Sequence, residues 1–221
     1  MDLPFQPHVF VDLDHIEAEL RRGFALSARD LRDVAVRIYQ GFIRVSGLHP
    51  KGFNGTNAWA EGTAHLRATL IPKGWTADDP LGQPRIVAPG GKLSITVSSG
   101  NVDTGVSHRV PQTRNDKGSQ TASSVQFNAR QGVLFPVPTA DHTPAPKDSG
   151  QVLWILLYYI DLDAGHMRME LSRPTGMSDA DKINGWSVRY ILPPISLLPN
   201  VQDQGPDELP DIDFDVVPKQ S

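Results

Sequence analysis

The sequence predicts an α+β protein with a mainly antiparallel β-sheet, arranged as a two-layer sandwich, and an N-terminal helical hairpin across one face or end. Three observations predict this fold class. Residues from about 12 to 45 carry apolar side chains at helical spacing, residues from about 57 to 217 form short period-two runs between glycines and prolines, and residues 152–160 form an unbroken apolar run. The chain, residues 1–221, is expected to fold as a single domain.

The predicted hairpin, residues 12–45, consists of two short helices that each start at a capping residue. Asp14 is followed three positions later by Glu17, and Ser27 is followed three positions later by Asp30, which is the spacing of a reciprocal helix cap. The second helix also has one continuous apolar face that can pack on the sheet. That face consists of Leu31, Val34, Ala35, Ile38 and Phe42.

The predicted strands divide into clear and weaker candidates. The clear ones are residues 152–160, 167–171 and 186–192, which predict an antiparallel meander whose first strand is central and covered on both faces. Residues 211–217 alternate strictly and predict an acidic edge strand or a tail that docks on an apolar face. The weaker candidates are residues 64–71, 92–98, 125–129 and 132–137.

Two polar stretches, residues 98–120 and residues 136–150, interrupt the strand pattern and are predicted to be exposed loops. The second is proline-rich and is a candidate internal boundary, which would divide residues 1–135 from residues 151–221. Each of those halves would have a thin core, so we interpret the loop as an insertion within one domain.

Composition excludes several classes of function. The 221 residues contain no cysteine, which excludes cysteine nucleophiles and thiolate metal sites, and the net charge of −4 argues against a surface built for nucleic acid or anionic lipid. The longest apolar run, residues 152–160, has about half the length of a membrane span. Since the first residues show no secretory pattern, we expect a soluble cytoplasmic protein that contacts no membrane.

Aspartates one residue apart can hold a divalent cation, and they occur next to apolar residues at positions 12–14, 161–163 and 211–215. Asp161 and Asp163, followed by His166, support one alternative function: a metal-dependent phosphoryl-transfer or hydrolytic enzyme that uses Mg²⁺ or Mn²⁺. The companion motifs of nucleotidyltransferases, primases and dehalogenase-like phosphatases are missing around these pairs. We therefore favour solvent-facing side chains at the mouth of a hairpin, with no cofactor.

The helical hairpin offers a second alternative, DNA binding, because its two helices have helix-turn-helix dimensions. Arg29, Arg32 and Arg37 would lie on or near the exposed side of the second helix. However, the six arginines between positions 12 and 44 are balanced by six acidic residues, whereas a DNA-binding surface is normally basic. Nucleic acid is therefore disfavoured, and we interpret the hairpin as packing on the sheet or contacting a partner protein.

Candidate binding residues are aromatic or basic side chains in polar surroundings. Phe53, Trp59 and Trp75 occur in glycine-rich or turn-like segments, where an exposed ring can stack on a sugar or anchor a protein partner, or can plug the open end of a sandwich. Four basic residues give the central loop region a local positive character within an acidic protein: Arg109, Arg114, Lys117 and Arg130. That contrast indicates either a contact surface for an acidic partner or a solvated loop.

The sequence favours a non-catalytic binding or assembly module that presents long polar loops on a β scaffold to a protein or other macromolecular partner. Neither a Gly-x-Ser-x-Gly motif nor a glycine-rich phosphate loop that opens a helix occurs in the sequence. The identity of the partner is left open, and so is self-association.

Overall fold

The structure is a computed structural model that describes residues 7–131 and 150–197. Three predictions fall outside these residues: the strand at 132–137, nearly all of the proline-rich loop at 136–150, and the alternating run at 211–217. Within the described part, four α-helices and an eight-stranded sheet confirm the α+β class. None of the described helices is long and apolar enough to cross a membrane.

After one short strand the chain forms three consecutive helices, then three strands, a fourth helix and the last four strands. The helices are α1 (Leu13–Phe24), α2 (Ala28–Ile43), α3 (Phe53–Leu70) and α4 (Ser119–Arg130). The strands are β1 (His8–Phe10), β2 (Thr76–Asp78), β3 (Arg85–Val87), β4 (Leu93–Ser99), β5 (Val152–Asp161), β6 (His166–Met177), β7 (Ile183–Ile191) and β8 (Ile195–Ser196).

The strands form one open, mixed sheet in the order β1-β7-β6-β5-β4-β3-β2, with β8 paired to β6. Strands β5, β6 and β7 pair antiparallel, which confirms the predicted meander. Strand β4 pairs parallel with β5, and β1 pairs parallel with β7. The predicted two-layer antiparallel sandwich is wrong for the described residues, because the connection through α4 makes β4 and β5 parallel and helices take the place of a second sheet.

Helices cover both faces of this sheet, as the alternation of side chains along β5 shows. Leu156 belongs to the same apolar cluster as the buried side chains of α1, α2 and α3. Ile155 and Leu157 point the opposite way and cluster with Val125 of α4. The central position predicted for this strand is confirmed, since Ile155, Leu156 and Leu157 are at most 1% exposed.

The two N-terminal helices form where they are predicted, but they do not pair as a hairpin. Ser27 and Asp30 make the predicted reciprocal cap of α2. Helix α1 is capped by Asp12, whose carboxylate accepts from the His15 amide at 2.8 Å, and not by Asp14 as predicted. Helix α2 packs extensively against α3, whereas α1 makes few contacts with α2.

Helix α3 occupies the segment predicted as a strand at residues 64–71, which corrects that prediction. Its glycines serve close helix packing. A Cβ atom at Gly62 would lie 2.4 Å from Cγ1 of Ile38 in α2, so only glycine allows the two helices to approach this closely.

Helix α4 occupies the segment predicted as a strand at residues 125–129. This helix is attached to the sheet by Asn128, whose side chain is buried at 1% exposure. The Asn128 amide donates to the Leu153 carbonyl at 2.8 Å and accepts from the Leu153 amide at 3.1 Å. Polar tertiary contacts therefore stabilise this helix on the sheet, in addition to its single buried valine.

A buried ion pair joins β6 and β7 beneath the long loop between β4 and α4, residues 100–118, which we call the β4–α4 loop. Glu170 and Arg189 are at most 1% exposed, and Arg189 Nε lies 3.1 Å from Glu170 Oε1. The Gly105 amide donates to Glu170 Oε2 at 3.0 Å, and Arg189 Nη1 donates to the Arg109 carbonyl at 2.6 Å. The ion pair consequently fixes the middle of the loop to the sheet.

Candidate functional site

A groove opens at the carboxyl ends of the parallel strands β4 and β5, which is the end of a parallel strand pair where α/β proteins commonly bind ligands. Its volume of about 880 Å³ lies within the range of roughly 300–1,000 Å³ that is typical of ligand sites. We call it the carboxyl-end groove. It is lined mainly by residues within 52–59, 81–84, 96–100, 114–121 and 158–163.

The β4–α4 loop carries its last basic residues into this groove, where backbone hydrogen bonds hold the loop at two places. The Arg114 amide donates to the Ser99 carbonyl at the end of β4, at 3.0 Å. The Lys117 amide donates to the Asp181 carbonyl in the β6–β7 turn, at 2.8 Å. The sheet and the β6–β7 turn therefore fix the backbone at both residues.

Lys117 contributes a cation that has no carboxylate partner. Its ammonium donates to the hydroxyl of Ser98 at 2.9 Å, and Ser98 is 4% exposed. Within the described ranges Lys117 forms no ion pair. Burial lowers the pKa of Lys117, and the nearby charge of Asp116 opposes that shift. Since an ammonium has three donors, Ser98 satisfies only part of its hydrogen-bonding capacity.

Arg114 adds a second cation. Its side chain is exposed and makes no ion pair with any residue that the structure describes. Its positive charge interacts with Tyr158, which also lines the groove. Burial raises the pKa of Tyr158, and the charge of Arg114 opposes that rise only in part. The phenol of Tyr158 is therefore neutral at physiological pH.

The first turn of α4 lies in the same groove. Its N-cap residue, Gly118, has no side chain that could accept from the free amides of that turn, so their partial positive charge is left uncompensated. Gln83 donates through Nε2 to Thr121 Oγ1 at 3.0 Å, and both residues are 7% exposed. The other amide atom of Gln83, Oε1, is buried and finds no hydrogen-bond partner in the part of the chain that the structure describes.

Apolar side chains line a further part of the groove. Trp59 of α3 is half-buried, and its indole N–H donates to the Val97 carbonyl of β4 at 3.2 Å, which fixes the ring. Phe42, near the end of α2, also lines the groove. The site thus combines an apolar wall with two cations and several polar groups.

The structure brings together two of the predicted binding residues, Trp59 and Arg114, in the carboxyl-end groove. Phe53 begins α3 and does not line the groove. Trp75 is 5% exposed and belongs to the main apolar core, so its ring is not accessible to a ligand. Arg109 does not line the groove either, and its guanidinium is ion-paired within its own loop.

The residues of the metal-dependent alternative lie at the turn between β5 and β6. Asp161 and Asp163 both line the groove. The Asp161 carboxylate already accepts from the Ala164 amide at 3.0 Å and lies 3.5 Å from Arg168 Nη2, and His166 faces it across the strand pair. The described residues contain no group of three or more His, Asp or Glu side chains placed to hold a metal ion.

The sequence indicates Lys117 only as one of four basic residues of the central loop region, and it does not indicate Gln83 or Thr121. A signal for Lys117 exists in the run Lys-Gly-Ser at positions 117–119, which stands between a strand and a helix. That signal is readable only when residues 119–130 are recognised as a helix. Gln83 has no such signal, because it is a single polar residue in a short turn.

No known protein family, curated protein or solved structure matches this chain. The function of the groove therefore has to be argued from the residues that form it.

Proposed function

We propose that the chain is a non-catalytic binding module and that the carboxyl-end groove is where its ligand, or a segment of its partner, is held. The observation that carries this proposal is the convergence, in one groove of about 880 Å³, of an apolar wall and two cations that form no ion pair within residues 7–131 and 150–197. Ligand sites combine apolar side chains with polar groups that fix the orientation of the ligand, and the polar and apolar parts of this groove are similar in extent.

The rigidity of the walls supports the same proposal. Trp59 is held by its bond to Val97, and the β4–α4 loop is bonded to the sheet at Ser99 and to the β6–β7 turn at Asp181. A binding site that is already ordered loses little conformational entropy when the ligand enters, which favours affinity.

The proposal is tested by filling the groove with a side chain. Gly55 lines the groove, and a Cβ atom there meets nothing within 4 Å, so Gly55→Phe extends into open space without a clash. Gly47 also has open space around it but does not line the groove, so Gly47→Phe is the matched control. Thermal unfolding of both variants and the wild type is measured against a defined set of ligands: nucleotides, sugar phosphates, dicarboxylates, short peptides and oligonucleotides.

We expect at least one of these ligand classes to raise the Tm of the wild type and of Gly47→Phe but not that of Gly55→Phe. A ligand at 100 times its Kd stabilises by about 2.7 kcal/mol, which corresponds to roughly 5–10 °C for a chain of this length. If no class stabilises the wild type, or if every stabilising class acts equally on all three proteins, the groove is not the binding site.

One observation favours a second candidate, the metal-dependent enzyme: Asp161 and Asp163 line the same groove as the two cations. Calorimetry with Mg²⁺ and Mn²⁺ separates the candidates. Heat of binding that is present in the wild type and lost in Asp161→Asn and Asp163→Asn would favour the enzyme over the binding module, because each change removes an anionic ligand without changing the shape of the side chain.

A further inference from the structure

The side chains that line the groove favour an anionic ligand. The first observation that favours it is the positive charge of Lys117, which no ion pair within the described ranges neutralises. Lys117 is half-buried, and its ammonium is bonded to a neutral hydroxyl, that of Ser98, and to no carboxylate of the described residues. A cation withdrawn from water without a counter-ion is unfavourable, and an anionic ligand would supply that counter-ion. Arg114, three positions earlier in the same loop, gives the groove a second charge of the same sign.

The charges of opposite sign at the groove do not cancel that of Lys117. Burial lowers the pKa of Lys117 more than the charge of Asp116 raises it. Asp116 and Lys117 form no ion pair. Asp161 is already engaged with Arg168. Asp163 and Arg114 are both exposed to solvent, where their fields are screened alike, so the half-buried charge that remains at the groove is that of Lys117.

The second reason is the start of α4, a helix of 12 residues whose first amides have no side-chain cap and lie beside Lys117 in the chain. Helix N-termini of this kind bind anions, because the backbone amides donate and the helix dipole adds positive potential. Helices α1 and α2 do not offer such a terminus, since Asp12 and Ser27 occupy theirs.

A third and independent reason is Gln83. It is 7% exposed, lines the groove and is bonded to Thr121 in the first turn of α4, and its other amide atom has no hydrogen-bond partner among the described residues. Because the hydroxyl of Thr121 can both donate and accept, the amide of Gln83 can present either its oxygen or its NH₂ group to a ligand. A buried polar group that lacks a partner in the protein is well suited to a ligand that supplies one.

These donors match a phosphate group better than a carboxylate. A phosphate monoester carries up to two negative charges and three terminal oxygens, which matches two cations together with the free amides of a helix terminus. The groove is also much larger than a phosphate ion, and it extends to the apolar side chains of Trp59 and Phe42. The ligand should therefore have an organic body attached to the phosphate.

We propose that the carboxyl-end groove binds a small organic phosphate monoester, with Lys117, Arg114 and the first turn of α4 holding the phosphate group and Gln83 contacting the same ligand. This inference rests on the proposed function, since it names the ligand class of the same groove. The organic body lies towards Trp59.

The test is calorimetry on the full chain with two pairs of probes that differ only in the phosphate: adenosine monophosphate against adenosine, and glucose 6-phosphate against glucose. We expect at least one phosphorylated probe to bind about tenfold or more tightly than its parent, because charge-assisted hydrogen bonds are formed only with the phosphate. A single-stranded oligonucleotide without a terminal phosphate is included to detect phosphodiester binding.

Variants identify the residues. Lys117→Met keeps the length and apolar stem of the side chain and should weaken binding of the phosphorylated probe about tenfold or more. Arg114→Gln should weaken it about two- to fivefold, since that guanidinium is exposed. Arg130→Gln is the matched control: it removes the same charge from the other end of α4, outside the groove, and should leave binding unchanged.

The outcomes distinguish this inference from the proposed function. Equal binding of a phosphorylated probe and its parent, equal weakening in Arg130→Gln and Lys117→Met, or tighter binding of the oligonucleotide than of either monoester would overturn the phosphate site. If neither monoester binds but Gly55→Phe blocks another ligand class, the phosphate site is wrong and the binding groove stands. Should Lys117→Met not fold, Lys117→Gln and Arg114→Gln decide the same question.

Discussion

Two groups of charged residues at this sheet differ in how completely the protein itself satisfies them. The pair Glu170 and Arg189 is almost fully buried, and its atoms bond to each other, to Ser172 and to the backbone of the β4–α4 loop. Lys117 and Arg114 lie at the end of that same loop, and neither forms an ion pair with a residue that the structure describes. The difference teaches that a buried charge with a full set of partners fixes the fold, whereas a charge held in place without a counter-ion is available for binding.

The largest effect is expected from breaking the satisfied pair. Arg189→Met leaves Glu170 buried without its partner and releases the carbonyl of Arg109, so we expect a loss of about 3–5 kcal/mol in the free energy of unfolding, measured by urea denaturation. A loss below about 1 kcal/mol would show that water reaches Glu170 and would remove the contrast between the two groups.

Truncation of a buried leucine in the central strand β5 leaves a cavity, and the resulting loss of unfolding free energy can be compared with that of Arg189→Met. Leu156→Ala and Leu157→Ala should each cost about 2–5 kcal/mol, because both side chains are fully buried, one on each face of β5. Leu162→Ala, at a side chain that is 58% exposed, should change stability by less than about 0.5 kcal/mol. Losses below about 1 kcal/mol at both buried positions would contradict the central placement of β5.

Lys117→Met is expected to change the unfolding free energy by less than about 1 kcal/mol, in contrast to Arg189→Met. The substitution removes one hydrogen bond to Ser98 but also removes a poorly hydrated charge, and the two effects have opposite signs. Urea denaturation without ligand measures it. A loss as large as that of Arg189→Met would mean that Lys117 is part of the structural framework and not of a binding site.

A smaller change in stability is expected at alkaline pH, where the buried tyrosines of the sheet ionise. Burial, with a contribution from Glu19, raises the pKa of Tyr190 to about 12, and burial also raises that of Tyr158. The folded state thus favours the neutral phenols, so their contribution to stability is complete below about pH 10 and is lost as the pH rises above it. Tyr190→Phe should flatten the fall of the urea midpoint above pH 10, whereas Tyr39→Phe, at a half-buried position outside the sheet, should not.

The smallest effect is expected on the outer side of α2. The triple change of Arg29, Arg32 and Arg37 to alanine should leave stability within about 0.5 kcal/mol per site, because all three side chains are exposed. It should also leave retention on duplex DNA unaltered. Salt-sensitive retention of the wild type that the triple variant loses would support the DNA-binding alternative.

The parts of the fold that were predicted correctly are those with a strong local pattern. The capping pair Ser27 and Asp30 and the apolar face from Leu31 to Ile38 are sufficient to define α2. The run 152–160 defines β5 because a strand that is buried on both faces is apolar at nearly every position. Each of these signals depends on residues that are near one another in the sequence.

The parts that could not be predicted depend on contacts between distant residues. Glycine in α3 suggests a turn locally, and only the approach of Ile38 explains Gly62. Similarly, α4 is rich in polar residues, and the role of Asn128 becomes evident only beside Leu153. The groove shows the same limit: Trp59 and Arg114 were predicted as binding residues, but Gln83 and Lys117 acquire their significance from α4.

The parallel pairing of β1 with β7 has a consequence for synthesis. His8 pairs with Val188, so β1 cannot take its place until nearly all of the described chain has been made. At a translation rate of about 5–20 residues per second, β7 follows β1 from the ribosome after roughly 10–40 s. During that interval α2 and α3 can associate locally, but their sheet-facing apolar side is uncovered. We therefore expect the nascent chain to depend on chaperones until β4 to β7 emerge, with β1 joining the sheet last.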